Sequence, residues 1–133
     1  MLKNVKCARC VKCGKEYEAV PNLTNCECGG ILDIIYDYDY IKKNLTKEKL
    51  RSRPHTMWRY RELLPVEETT PDTPLRVGWS PLYEEPRLAS QLGLKKLWVK
   101  DDGQNPTASL KDRASAMAVA KAAEAGAKII ACS

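Results

Sequence analysis

Residues 100–111 read K-D-D-G-Q-N-P-T-A-S-L-K, and Asp112 and Arg113 follow at once. Upstream, Leu97, Trp98 and Val99 are apolar and bounded by charge, which predicts a short buried strand. Gly103, Asn105 and Pro106 are turn residues, and Pro106 disfavours helix in the residue before it. Ser109 and Asp112 stand three apart, the spacing of a capping box with Asp in place of Glu. Beyond them Leu110, Ala114, Met117, Ala118, Ala122 and Ala125 recur at helical spacing, and Gly126 stands where a C-terminal cap belongs. Residues 128–133 (K-I-I-A-C-S) read as a second buried strand. Strand, helix, strand in this order predicts a βαβ unit and a parallel sheet, and so an α/β fold.

This pattern puts Lys111 in the first turn of the helix. A helix N-terminus carries partial positive charge, which disfavours an ammonium. A neutral amine is what a Schiff-base nucleophile needs, and the same helix end attracts an anion such as a cofactor phosphate. Spacing alone leaves a second reading open, a solvated surface lysine.

Asn105 to Arg113 (N-P-T-A-S-L-K-D-R) resembles the N-P-T-G-S-F-K-D-R signature of fold-type II enzymes that use pyridoxal phosphate. Within that group the chain is most similar to the threonine synthase family, over a stretch from about Cys10 to Ser133. The resemblance implies that Lys111 is the catalytic and cofactor-binding residue, holding pyridoxal 5'-phosphate through a Schiff base. It also implies a lyase that converts O-phospho-L-homoserine and water to L-threonine and phosphate, and a homodimer when complete. Cysteine synthases carry a similar motif, so a β-replacement making cysteine or cysteate is the alternative reaction. Ala108 stands where the signature has Gly, and Leu110 where it has Phe.

A second cluster lies near the start. Cys10-Val-Lys-Cys13-Gly14 and, after twelve intervening residues, Cys26-Glu-Cys28-Gly29-Gly30 form two knuckles, with a glycine after each pair to let the backbone turn. Residues 15–20 and 31–36 alternate as short strands. The whole resembles a zinc ribbon with Cys10, Cys13, Cys26 and Cys28 as metal ligands. The second pair is C-x-C where C-x-x-C is usual, and Cys7 with Cys10 offers a competing first pair. No βαβ unit surrounds the motif, so a thioredoxin-type redox site is not expected. Such a module is too small to bury a core, and a structural zinc would supply much of its folding energy. Cys132, the sixth cysteine, reads as a small core residue in the second strand.

Three regions follow: 1–37 the cysteine-rich module, 38–80 a charged linker with a short helix, and 81–133 the beginning of the catalytic domain. In the linker, Ile41, Leu45 and Leu50 give a thin apolar stripe, and Met57-Trp-Arg-Tyr-Arg-Glu-Leu-Leu-Pro65 predicts a short helix stopped by Pro65 and anchored by Trp58 and Leu64. This W-R-Y-R-E-L-L-P segment also resembles one that precedes the catalytic domain in threonine synthases. Pro81–Tyr83 reads as extended, Arg87–Gly93 as a short helix, and His55 as a surface or packing residue.

The 133 residues are 44% hydrophobic and 29% charged, ordinary values for a soluble globular chain. No apolar run approaches the roughly 20 residues that cross a bilayer. The first residues lack the apolar core of a signal peptide, which points to a reducing cytoplasmic setting and to metal instead of disulfides. The net charge of +5 would fall to +3 once four thiolates held one zinc, too little to point to nucleic acid. A zinc-ribbon module binding nucleic acid or protein accounts for residues 1–53 and leaves the motif at 105–113 unexplained. No glycine-rich phosphate loop occurs in the chain. It therefore reads as the N-terminal third of an enzyme, inactive and poorly folded alone beyond the ribbon.

Overall fold

A computed structural model describes residues 2–131. The cysteine-rich start forms a three-stranded antiparallel sheet in the order β2-β1-β3, from β1 (Val5–Cys10), β2 (Glu16–Tyr17) and β3 (Leu32–Tyr36). The central strand β1 was not anticipated, because K-C-A-R-C lacks the apolar alternation that marks a strand. Its inward positions are instead Ala8 and Cys10, small groups 3% and 2% exposed. Cys10 lies opposite Leu32, and Arg9 lies opposite Glu16 on one side and Asp33 on the other.

The charged linker folds as two helices, α1 (Tyr38–Asn44) and α2 (Lys47–Ser52). The break falls where Thr46 accepts a hydrogen bond from the Lys49 N–H and starts a new helix, as Asp37 does for α1 through the Tyr40 N–H. Of the stripe read from the sequence, only Ile41 is buried. Residues Met57–Leu63 form a 3₁₀ segment with a kink at Tyr60 and not a regular α-helix. Its Met57 and Trp58 join Val66, Val77, Ala116 and Ala120 in the main apolar core, with Leu64 and Met117 packed against it.

The last third contains β4 (Leu82–Glu84), α3 (Pro86–Gln91), β5 (Trp98–Lys100) and α4 (Asp112–Glu124). Strand β5 pairs antiparallel with β4, Tyr83 opposite Val99. Several expectations for this part are corrected. The strand at 97–99 is present one residue later and is exposed, not buried. No strand forms over residues 128–131, where Ile129 is 86% exposed, so the parallel βαβ pairing is absent among the described residues. Two short strands have too few neighbours to bury the faces a parallel sheet must cover. Cys132 lies outside the described residues. The buried face of α4 is Asp112, Ala116 and Ala120, not the stripe through Leu110, Ala114 and Ala118. Alanine spacing could not choose between the faces, because α4 is alanine-rich all round, and Trp58 and Val77 settle which one is covered.

Candidate functional site

The knuckle turns bring four sulfur atoms together. Cys10 sits at the end of β1, Cys13 in the turn after it, and Cys26 and Cys28 in the turn leading to β3. Gly14 and Gly29 take φ of +76° and +75°, the left-handed conformation that a turn at each knuckle requires. The four Sγ atoms all lie within 4.8 Å of one another. Cys10 and Cys28 are 3.6 Å apart, as are Cys13 and Cys26. Zn–S bonds of about 2.3 Å in tetrahedral geometry put sulfurs about 3.8 Å apart, so the donor set and its spacing fit zinc. Cys7, the competing ligand, lies on β1 opposite Ile35 and outside this group.

The surroundings favour the thiolate at two of the four, Cys26 and Cys10. The Tyr17 hydroxyl lies 3.1 Å from Cys26 Sγ, and this hydrogen bond, aided by the Cys28 N–H, lowers Cys26 to about 6. The Cys13 backbone N–H lowers Cys10 in the same way. Cys28 is pushed up to about 12: the Gly30 N–H pulls it down, but crowding by the thiols of Cys13, Cys26 and Cys10 outweighs that. A divalent cation removes that crowding by neutralising the cluster. Tyr17 is a neighbour of the thiol cluster that the sequence reading missed; only its place in the strand between the knuckles hinted at it.

The lysine loop is built differently. Asp101 and Asp102 end β5 in a 3₁₀ turn, with the Asp101 carboxylate accepting from the Gly103 N–H. Asn105 is 6% exposed; its amide donates to the Asp102 carbonyl (2.9 Å) and its Oδ1 accepts from the Gly78 N–H (3.0 Å). Asp112 accepts from the Thr107 N–H (2.8 Å) and from the Thr107 hydroxyl (2.5 Å). The reciprocal capping box expected between Ser109 and Asp112 is thus replaced: Asp112 reaches back to Thr107, and Ser109 Oγ accepts from the Lys111 N–H at 3.1 Å. Lys111 is the N-cap residue of α4 and is exposed. Among the described residues nothing holds its amine, so a primary amine stands free at a helix N-terminus. That arrangement fits a cofactor aldehyde with an anionic tail.

Ala108 sits at φ +55°, left-handed, in the position where the signature has glycine. The glycine of the motif thereby gains a physical reason, a backbone turn between Thr107 and Ser109 that a Cβ strains. One ion pair that spacing did not reveal braces the loop: Arg113 Nη2 lies 2.7 Å from Asp102 Oδ1, and Ser80 Oγ donates to the same oxygen at 2.5 Å. Arg113, then Ser80, hold Asp102 down at about 2. A cavity of about 420 Å³ between Leu2–Asn4 and residues 61–69 lies apart from Lys111. Among its charged lining residues, Arg53 pairs with Glu62 and Lys3 with Glu68, and Arg61 pairs with Asp72.

Residues 73–133 match the family model described as "Pyridoxal-phosphate dependent enzyme". The chain is 46% identical over 124 residues to a threonine synthase of Methanocaldococcus jannaschii, covering 93% of this chain and 31% of the relative. A threonine synthase of Methanosarcina acetivorans is 45% identical over 125 residues, 93% of this chain and 30% of that one. A threonine synthase of Synechocystis is 47% identical over 74 residues, 55% of this chain and 19% of the relative. The chain thus spans about a third of the length of the first two relatives. No solved structure matches it. Among the described residues no helix is long and apolar enough to cross a membrane.

Proposed function

We propose that the chain is the lysine-bearing part of a threonine synthase-like lyase, acting on O-phospho-L-homoserine and water to give L-threonine and phosphate. The observation that carries the reading is the extent of the match. An alignment covering 93% of the chain takes in both the cysteine cluster and Lys111. Lys111 would hold pyridoxal 5'-phosphate through its Nζ, and the cofactor supplies an electron sink for a carbanion next to the bound amine. With its amine free, Lys111 Nζ would be placed to act as the base that takes and returns protons at the substrate carbons. Thr107, Asp112 and Asn105 hold the loop so that this amine faces outward.

In the same reading Cys10, Cys13, Cys26 and Cys28 hold one structural zinc, with Tyr17 orienting Cys26. Residues 1–37 are the metal module and 81–133 the start of the catalytic domain, joined by 38–80. The assembly is a homodimer in the cytoplasm, acting on a small molecule and not on nucleic acid.

The test uses a polypeptide of the relatives' full length carrying this segment. Phosphate release from O-phospho-L-homoserine is expected, and Lys111→Ala removes both turnover and the visible absorbance of the lysine-bound cofactor. Turnover of O-acetylserine or phosphoserine with none of O-phospho-L-homoserine would replace this reaction by a β-replacement.

A further inference from the structure

Residues 77–80 run alongside the lysine loop and are tied to it twice. The Gly78 N–H donates to Asn105 Oδ1 at 3.0 Å, and Ser80 Oγ donates to Asp102 Oδ1 at 2.5 Å. Arg113, two residues past Lys111, donates from Nη2 to Asp102 at 2.7 Å and to Ser80 Oγ at 3.2 Å. Gly78 has φ +82°, and a Cβ there would stand 2.9 Å from the Met57 nitrogen and 2.7 Å from Arg113 Nη1. The strap is therefore seated closely between the 57–63 segment and the start of α4.

Between its two tied residues stands Trp79, at φ +53°. A large side chain in the left-handed region is strained, and it persists only where its surroundings over-determine it. Those surroundings are not the core, since Trp79 is 44% exposed. They are two side chains of the preceding segment. The His55 ring stacks on the indole with centroids 4.0 Å apart and planes 10° apart, and Arg59 Cζ lies 4.2 Å from the indole centroid.

Arg59 has a matching peculiarity. It is 7% exposed, and its Nη2 donates to the Leu50 carbonyl. Its Nε and Nη1 are buried and make no hydrogen bond among the described residues, and no ion pair reaches it there. A buried guanidinium without a carboxylate is unfavourable unless another group meets its charge. The indole face does so. The strain at Trp79 and the missing counter-ion of Arg59 thus explain each other. Two further bonds close the same contact, from the Met57 N–H to the Val77 carbonyl (2.8 Å) and from Arg76 Nε to the His55 carbonyl (3.3 Å).

We infer that Trp79, held by Arg59 and His55, is a positioning residue for the lysine chemistry. It acts through Asn105, Asp102 and Arg113, setting the strap against the 102–113 loop and so fixing where the Lys111 amine stands. This gives the W-R-Y-R segment a role in the reaction without any contact to substrate. The inference rests on the reading of Lys111 as the cofactor lysine.

The experiment compares wild type with Trp79→Leu, Arg59→Met, the double variant and Trp79→Phe in a polypeptide of the relatives' full length. Trp79→Leu is expected to lower kcat on the order of 100-fold, as small misplacements of reacting groups do, while the lysine-bound cofactor absorbance stays. KM for O-phospho-L-homoserine should stay within about twofold of wild type. Arg59→Met should behave alike, the double variant should be no slower than the slower single one, and Trp79→Phe, which keeps a π face, should recover most of the rate. If Trp79→Leu does not fold, Trp79→Phe against Arg59→Lys reads the same split, because lysine keeps the charge and loses the plane. Wild-type kcat in Trp79→Leu overturns the inference, as does a loss that simply adds to that of Arg59→Met. A wild type that shows no lysine-bound cofactor overturns the reading of Lys111 and this inference together; a normal wild type with an unaffected Trp79→Leu overturns the inference alone.

Discussion

The sulfur module and the lysine segment are both small, and they solve the problem of a small core in opposite ways. The module, Val5 to Tyr36, buries little beyond Ala8, Cys10 and Cys26 and gathers four thiols within 4.8 Å. Its order is suited to come from one central cluster. The lysine segment, Leu82 to Glu124, has no such cluster. Its β4–β5 ribbon leaves Leu82, Tyr83, Trp98 and Val99 exposed, and only one face of α4 reaches the core built on Trp58 and Val77. What fixes the lysine loop is a set of polar ties, Asp112 to Thr107 and Arg113 to Asp102. The contrast teaches that a chain can order one small region around a cluster of thiols and another around hydrogen bonds that hold a lysine loop. Disturbing either should leave the other largely intact.

The largest effect to test is on the module. A structural zinc is worth on the order of 10 kcal/mol of folding energy, so chelation or Cys26→Ser should abolish the β-sheet signal of residues 5–36. Cys7→Ser should leave one zinc per chain, measured by metal analysis and circular dichroism. Loss of zinc in Cys7→Ser would move a ligand and break the fourfold assignment. Next in size is the core under α4. Trp58 is 4% exposed, and Trp58→Ala should cost about 3–5 kcal/mol in denaturant unfolding. Trp98 is 48% exposed, and Trp98→Ala should cost under about 1 kcal/mol. Equal losses would mean that the ribbon is packed as firmly as the core.

Two smaller effects concern the loop. Ala108→Gly should stabilise by about 1 kcal/mol, because it relieves the left-handed Cβ strain at φ +55°. Destabilisation would show that the Ala108 methyl makes a contact worth more than the strain. Asp102 is held near 2 by Arg113, well below its usual 3.8, so its folded carboxylate binds a proton less readily than in the unfolded chain. Its contribution is fully present above about pH 4 and is lost as pH falls towards 2. Asp102→Asn should flatten that acid limb in an unfolding titration, modestly, because the pair is part-exposed. An unchanged acid limb would remove Asp102 from the account.

The gathering of the four cysteines was easier to read from the sequence than the topology was. Cys10, Cys13, Cys26 and Cys28 could be chosen over Cys7 because glycine follows Cys13 and Cys28, and those glycines make the turns. The motif around Lys111 was legible for the same reason, a run of residue types with few other uses. Strand β1 was hidden, since its inward residues are Ala8 and Cys10 and give no apolar alternation. The direction of β5 was also hidden: a three-residue strand carries no mark of parallel or antiparallel pairing, and β4 took it antiparallel. The face of α4 could not be read from a helix whose alanines fall on every side. The Trp79–Arg59 contact joins residues twenty apart, and only the fold brings them together.

The measurement that bears most directly on Lys111 is borohydride reduction of a polypeptide of the relatives' full length with pyridoxal 5'-phosphate bound, followed by peptide mass mapping. The account predicts a single pyridoxyl label, on the peptide containing Lys111, with the cysteine module still carrying its zinc. A label on Lys100, Lys121 or any other lysine, or labels spread over many, would contradict it.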